Sequence, residues 1–158
     1  MSALIYVETS IPSFYHETRH ELEHQARRQW TREWWDIARL RDELVTSEAV
    51  LLELGRAPEP KRANGLALVE SLPLLDIVDA VDELVAVYLA HRLMPRDAEG
   101  DAMHLALATF HECDILATWN CRHIANVNKQ EHIRRVNAAL GLATPLLTTP
   151  YELLEQLP

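Results

Sequence analysis

Four short runs with strand character, Ala3 to Val7, Leu44 to Thr46, Leu74 to Ile77 and Asp114 to Thr118, are separated each time by stretches whose apolar residues recur at helical spacing. No other feature constrains the chain so strongly. A strand that returns beside a parallel neighbour needs a crossover, and a helix is the usual one. The alternation therefore predicts an α/β fold, a three-layer α/β/α sandwich with a central parallel sheet of four to five strands. Pro145 to Thr148 is the possible fifth strand. In such sheets chemistry gathers beyond the carboxyl ends of the strands.

The helical stretches are marked as clearly. Ser10 and Pro12 fit a helix start after the first strand. From His20 to Glu43, Leu22, Ala26, Trp30, Trp34, Ile37 and Ala38 predict one long amphipathic helix or two in series. Ser47 opens a helix that ends near Gly55, and Arg62 to Ser71 follows the turn at Pro58 and Pro60. Val81 to Leu93 should turn Leu84, Val85, Tyr88 and Leu89 inward. Asp97 can cap a helix whose body, Asp101 to Ala108, is apolar on nearly every side. Asn126 to Leu140 and Pro150 to Gln156 complete the set. With no repeat or linker in 158 residues, one domain spanning 1–158 is expected.

Composition narrows the functional classes. A formal net charge of -9 argues against a protein that coats nucleic acid by charge alone, though not against a nuclease with a local basic rim. No apolar run approaches the roughly 20 residues that span a bilayer, and no leader pattern opens the chain, so a soluble cytoplasmic protein is expected. Cys113 and Cys121 lack a paired spacing and read as reduced thiols used in packing. With four glycines the chain has neither a Gly-rich dinucleotide turn nor a P-loop. A phosphoaspartyl phosphatase is excluded because the first strand leads to Glu8 and Ser10 where two Asp residues are needed.

Glu8 falls at the carboxyl end of the first strand, Glu53 on the helix after the second, Asp101 near the start of the helix before the fourth, and Asn120 just beyond the fourth. All four can converge on one sheet edge. Gathered carboxylates repel one another unless a cation compensates, and oxygen donors without Cys or His favour a hard ion, Mg2+ or Mn2+. Such an ion lowers the pKa of a bound water and stabilises charge on a phosphate, so hydrolysis of a phosphodiester is the natural reaction. Each residue also has a plainer role. Glu8 taken alone is a solvated or capping acid, Glu53 an exposed acid on an amphipathic helix, Asp101 a partner of the helix dipole and Asn120 an Asx turn. His104, one turn beyond Asp101, could support an acid from behind or touch substrate, but on an apolar helix it reads as a hydrogen-bonded core residue, and Trp30, Trp34 and Trp35 as packing or subunit contact rather than base stacking.

The segments Ile5 to Ser10, Ser47 to Leu54, Gly100 to Ala106 and Leu116 to Asn120 resemble, in order, the successive motifs of PIN domains. Thr118 to Asn126 resembles a bacterial branch of VapC-like type II toxins, and the likeness runs from Ile5 to about Leu153. The resemblance implies a metal-dependent ribonuclease in which Glu8, Glu53 and Asp101 bind the metal, Asn120 takes a fourth polar position, and Thr9 or Ser10 hydrogen-bonds within the site. Many PIN domains carry Asp where this chain has Glu8 and Asn120. Among Arg28, Arg32, Arg122, His123, Lys129, Arg134 and Arg135, the pair Arg28 and Arg122 is expected to contact RNA phosphates. The likeness further implies a homodimer and a small antitoxin protein over the active-site groove. The alternative is a domain of this fold that binds RNA or a protein partner without cutting.

Overall fold

The computed structural model describes residues 2–96 and 99–157, Glu99 through its backbone only. Its strands are β1 (Leu4–Val7), β2 (Glu43–Ser47), β3 (Leu74–Leu75), β4 (Ile115–Ala117) and β5 (Leu146–Thr148). Its helices are α1 (Ser10–Tyr15), α2 (Leu22–Arg41), α3 (Glu48–Gly55), α4 (Lys61–Val69), α5 (Asp79–Ala90), α6 (Glu99–Phe110), α7 (Val127–Ala139) and α8 (Pro150–Glu155). The strands form one parallel sheet in the order β3-β2-β1-β4-β5, flanked by helices. Asp97, expected to cap α6, lies outside the described residues.

The order explains where a site can form. From β1 the chain moves outward through β2 to β3, then returns to the other side of β1 to lay down β4 and β5. The direction reverses between β1 and β4, and at such a switch point the flanking loops part and leave a crevice beyond the carboxyl ends. Glu8 follows β1 there and Thr118 follows β4. Pairing of Tyr6 with Val45 on one side and Leu116 on the other brings the three strand ends level.

β1 is covered on both faces. Its consecutive residues Ile5, Tyr6 and Val7 point alternately to opposite sides of the sheet, yet all are at most 1% exposed. On α6 the buried set Ala102, His104, Leu105, Ala106, Leu107, Ala108 and Thr109 makes the helix body mostly apolar, as its sequence predicts.

Three expectations shift. The stretch from His20 to Glu43 is one helix, α2, but its buried stripe is Thr31, Trp34, Trp35 and Ala38. Leu22 is 83% and Ile37 40% exposed, because the stripe facing α1 and α8 runs through 31, 34, 35 and 38 and leaves both residues off it. β3 stops at Leu75, and Ile77 is exposed beyond it. Of the two free thiols, Cys113 packs in the core but Cys121 is exposed on the turn after β4.

Candidate functional site

The loop after β1 is built around one carboxylate. Glu8 is only 5% exposed, and its Oε1 accepts hydrogen bonds from Ser10 N at 3.1 Å, from Ser10 Oγ, and from Thr118 Oγ1 at 2.6 Å. The two hydroxyls are themselves fixed. Trp119 N donates to Ser10 Oγ at 2.7 Å and Asn120 N to Thr118 Oγ1 at 2.9 Å. A buried charge is tolerable only with such donors around it. Here they come from both strands that border the switch point.

Glu53 enters from α3. Ser47, extended at the end of β2, precedes the helix, and Glu53 sits near its last turn, half-buried. Its Oε1 accepts from Thr9 Oγ1 at 3.0 Å and from His104 Nε2. His104, fully buried on α6, meets Tyr6 Oη through Nδ1 at 2.7 Å, and Tyr6 Oη lies 2.7 Å from Ser47 Oγ. Burial works to raise the Glu53 pKa. The hydrogen bond and charge of His104, the Thr9 hydroxyl and the Arg56 cation outweigh it and hold the carboxyl below its ordinary value. Burial likewise works to lower the pKa of His104, but the bond to Glu53 and the charges of Glu8, Glu53 and Asp101 hold it above the ordinary imidazole value. Both shifts favour the charged form of the group concerned.

Asp101 is half-buried on the first turns of α6 and lines a cleft of about 610 Å³ with Ala49, Leu52, Glu53, Arg56, Gly100 and Met103. It faces this cleft rather than the apolar side of its helix. A hollow of about 450 Å³ between α3, α4 and β3, lined by Leu51, Leu66, Leu72 and Leu74, has a single acid, Glu70. Converging polar groups distinguish the first cleft as the place for chemistry.

The charges of Glu8, Glu53 and Asp101 all act on His104, with Ser10 bonded to Glu8 and Thr9 to Glu53. Asn120 is engaged differently. Its Oδ1 accepts from His123 N, three residues on, at 3.0 Å and its carbonyl from Ala125 N at 2.8 Å, a turn that closes the loop after β4. Arg28 is half-buried on α2 and Arg122 exposed, and among the described residues neither pairs with the three acids. Trp34 and Trp35 are buried, while Trp30 stacks on Trp119 and lies tilted against Tyr151, so these rings pack within the chain.

Three participants escape a reading of the sequence by itself. In sequence Thr118 reads only as a strand residue, Arg56 as no part of the site, and His104 as a core residue whose acidic partner is not named. His104 is a hydrogen-bonded core residue, and the bond it makes is to Glu53. Arg56 carries a faint signal, three residues beyond Glu53 at the helix end, where side chains share a face.

Among the described residues no three Asp, Glu, His or Cys side chains stand close enough together to hold a metal ion between them. The donor chemistry still suits one kind of ion. Magnesium keeps several waters and uses one or two carboxylates together with substrate phosphate oxygens, rather than an all-protein cage. Glu8 and Glu53 each commit Oε1 to hydrogen bonds within the protein and retain Oε2.

Fold and site together define a parallel α/β protein with Glu8 buried at the switch point of the sheet and a cleft between α3 and α6 lined by Glu53 and Asp101. The chain belongs to the PIN domain family, whose model matches residues 5–130. The match takes in Glu8, Glu53, Asp101 and Asn120 and ends within α7, short of the Leu153 to which the motif likeness extends. PIN domains are in general nucleases that act on RNA and typically use divalent metal ions. Comparison with curated proteins gives no match. No described helix is long and apolar enough to cross a membrane.

Proposed function

We propose that this protein is a divalent-metal-dependent endoribonuclease and that residues 1–158 act as one domain. The observation that carries the reading is the division of labour on the acids. The Oε1 atoms of Glu8 and Glu53 are tied into the protein, which leaves their second oxygens and the Asp101 carboxylate for a ligand. Glu8, Glu53 and Asp101 would hold Mg2+ or Mn2+, which when bound supplies a Lewis acid for the phosphate and the nucleophilic water. The Ser10 and Thr118 donors on Glu8 fix its carboxylate in place, and Thr9 does the same for Glu53. Arg56, with Arg28 and Arg122 further out, offers cations for neighbouring phosphates. In the reaction a water oxygen bonds to phosphorus, the bond from phosphorus to the 3′ oxygen breaks, and that oxygen takes up a proton. The products are a 5′-phosphate and a 3′-hydroxyl.

The test is cleavage of RNA with magnesium or manganese by the wild type and by Asp101→Ala. Cleavage lost in the variant and in chelator supports the reading; cleavage that survives both overturns it.

The likeness of Thr118 to Asn126 to VapC-like proteins extends the proposal to the toxin of a type II toxin-antitoxin pair, cytoplasmic and homodimeric, with a small antitoxin partner. A small neighbouring gene whose product is retained by this chain in a pull-down tests that role. A second reading, a domain that binds RNA or a protein without cutting it, is favoured by the lack of three gathered ligands among the described residues. RNA bound but left intact with either metal would support it.

A further inference from the structure

Glu53 has two carboxylate oxygens, and when ionised both can only accept hydrogen bonds. Oε1 takes both of its donors from within the protein, Thr9 Oγ1 and His104 Nε2. Oε2 lies toward the cleft rim, where a Cβ added to Gly100 would meet it at 3.6 Å. What keeps the two oxygens in these places is the His104 ring. It is fully buried, and its other nitrogen is held by Tyr6 Oη, which in turn meets Ser47 Oγ.

Hydrogen counting along this chain leaves one arrangement at the Glu53 end. A carboxylate oxygen needs a donor, so Nε2 carries a hydrogen. With the ring neutral, Ser47 donates to Tyr6 and Tyr6 donates to Nδ1. With the ring protonated, Nδ1 donates to Tyr6 and Tyr6 to Ser47. A ring protonated on Nδ1 alone would set a nitrogen lone pair against a carboxylate oxygen inside the core. Both hydroxyls can reverse, but Nε2–H points at Glu53 in either case.

We propose that Tyr6 and His104 form a buried positioning relay for Glu53, fixing Oε1 against the protein so that Oε2 is presented to the ligand in the cleft. The role rests on the reading of Glu53 as an acid of the ribonuclease site. His104 does not reach the cleft itself and acts through Glu53, as the partners behind metal-binding side chains do elsewhere. The relay also accounts for a titratable residue at a fully buried position of α6, where the neighbouring buried positions carry Ala, Leu and Thr.

Nitrogen-15 NMR of the histidine rings in the full chain tests the geometry without reference to activity. The expected result is a His104 ring with hydrogen on Nε2 and a resonance that moves in Glu53→Gln. Hydrogen on Nδ1 alone, or a resonance indifferent to Glu53→Gln, overturns the proposal. In cleavage assays His104→Leu should lower kcat by about 10- to 100-fold with KM for RNA little changed, and weaken binding of manganese alone, read by electron paramagnetic resonance. His104→Gln, whose amide nitrogen can replace Nε2, should restore most of kcat. Equal losses in Leu and Gln, or a loss confined to KM, overturn it. Should His104→Leu fail to fold, Tyr6→Phe serves: the relay predicts a lower kcat and a changed His104 resonance, and the absence of both counts against it. A wild type that cleaves no RNA with either metal overturns the nuclease reading, while the NMR result still decides the relay.

Discussion

Thr118 Oγ1 donates a 2.6 Å hydrogen bond to Oε1 of Glu8, joining the ends of two adjacent strands that are 110 residues apart in sequence. The bond crosses the switch point of the sheet. Because both groups are buried, neither can exchange its partner for water at low cost. Glu8 is thereby held from both walls of the crevice, as Glu53 is held by Thr9 from the first loop and His104 from α6.

Thr118→Val keeps the side-chain shape while removing the hydroxyl that donates to Glu8 and accepts from Asn120 N. A hydrogen bond to a charged group contributes about 1.5–3 kcal/mol, so a loss of about 2 kcal/mol is expected. Urea unfolding measures it, with an unchanged slope showing that the change is in stability alone. A loss under about 0.5 kcal/mol would mean that the hydroxyl does not support the acid.

Asn120→Ala removes the acceptor for His123 N and should destabilise by about 1 kcal/mol, while Asn120→Asp retains an acceptor and should lose less. RNA cleavage should fall less in Asn120→Ala than in Asp101→Ala. The reverse order would place Asn120 in the chemistry rather than in the turn.

Arg56 lies on the cleft beside Glu53 and Asp101, whereas Arg122 is exposed and Arg28 half-buried without a pairing to the acids. On an Asp101→Ala background, which removes cleavage, Arg56→Ala should weaken RNA binding and reduce the slope of log affinity against log salt by roughly 0.7, the value for one phosphate contact on a single strand. Fluorescence anisotropy over a salt series measures both. A larger effect from Arg28→Ala or Arg122→Ala than from Arg56→Ala would move the phosphate path away from the cleft.

Glu17 is buried, and its carboxyl is held down to about 2, chiefly by its hydrogen bonds with the Arg19 guanidinium and against the effect of burial. Its folded pKa is thus below the unfolded value of 4.5. A depressed carboxyl contributes stability that is present above the unfolded pKa and is lost as pH falls toward the folded one. Wild-type stability should therefore drop between about pH 4.5 and about pH 2, and Glu17→Gln should lack that part of the slope. Denaturant unfolding at several pH values in this window checks it. Equal slopes in the two proteins would show that the pair contributes nothing.

Strand and helix order was legible because it rests on local pattern. Short continuous apolar runs between stretches of helical spacing are a local pattern that survives whatever the chain later touches, so the runs at Ile5, Leu44, Leu74, Leu116 and Leu147 all became strands of the sheet. Placement of Glu8 and Asp101 at one sheet edge follows from the same rules, since parallel strands put their carboxyl ends on one side. Local pattern failed on α2, where Leu22 and Ile37 fit the helical period yet the neighbours α1 and α8 cover a different stripe.

What the amino-acid sequence determined by itself is the parallel α/β architecture, the motif order of a PIN domain and the candidate acids. Tertiary structure alone decided what each acid is bonded to. Thr118 meets Glu8 and His104 meets Glu53 across separations of 110 and 51 residues. No spacing rule reaches that far, because the contacts depend on how the strands order in the sheet and on which turn of α6 faces α3. The same long-range geometry left Asp101 facing the cleft, whereas the turn at Asn120 is a bond to His123 only three residues on and was legible in the sequence.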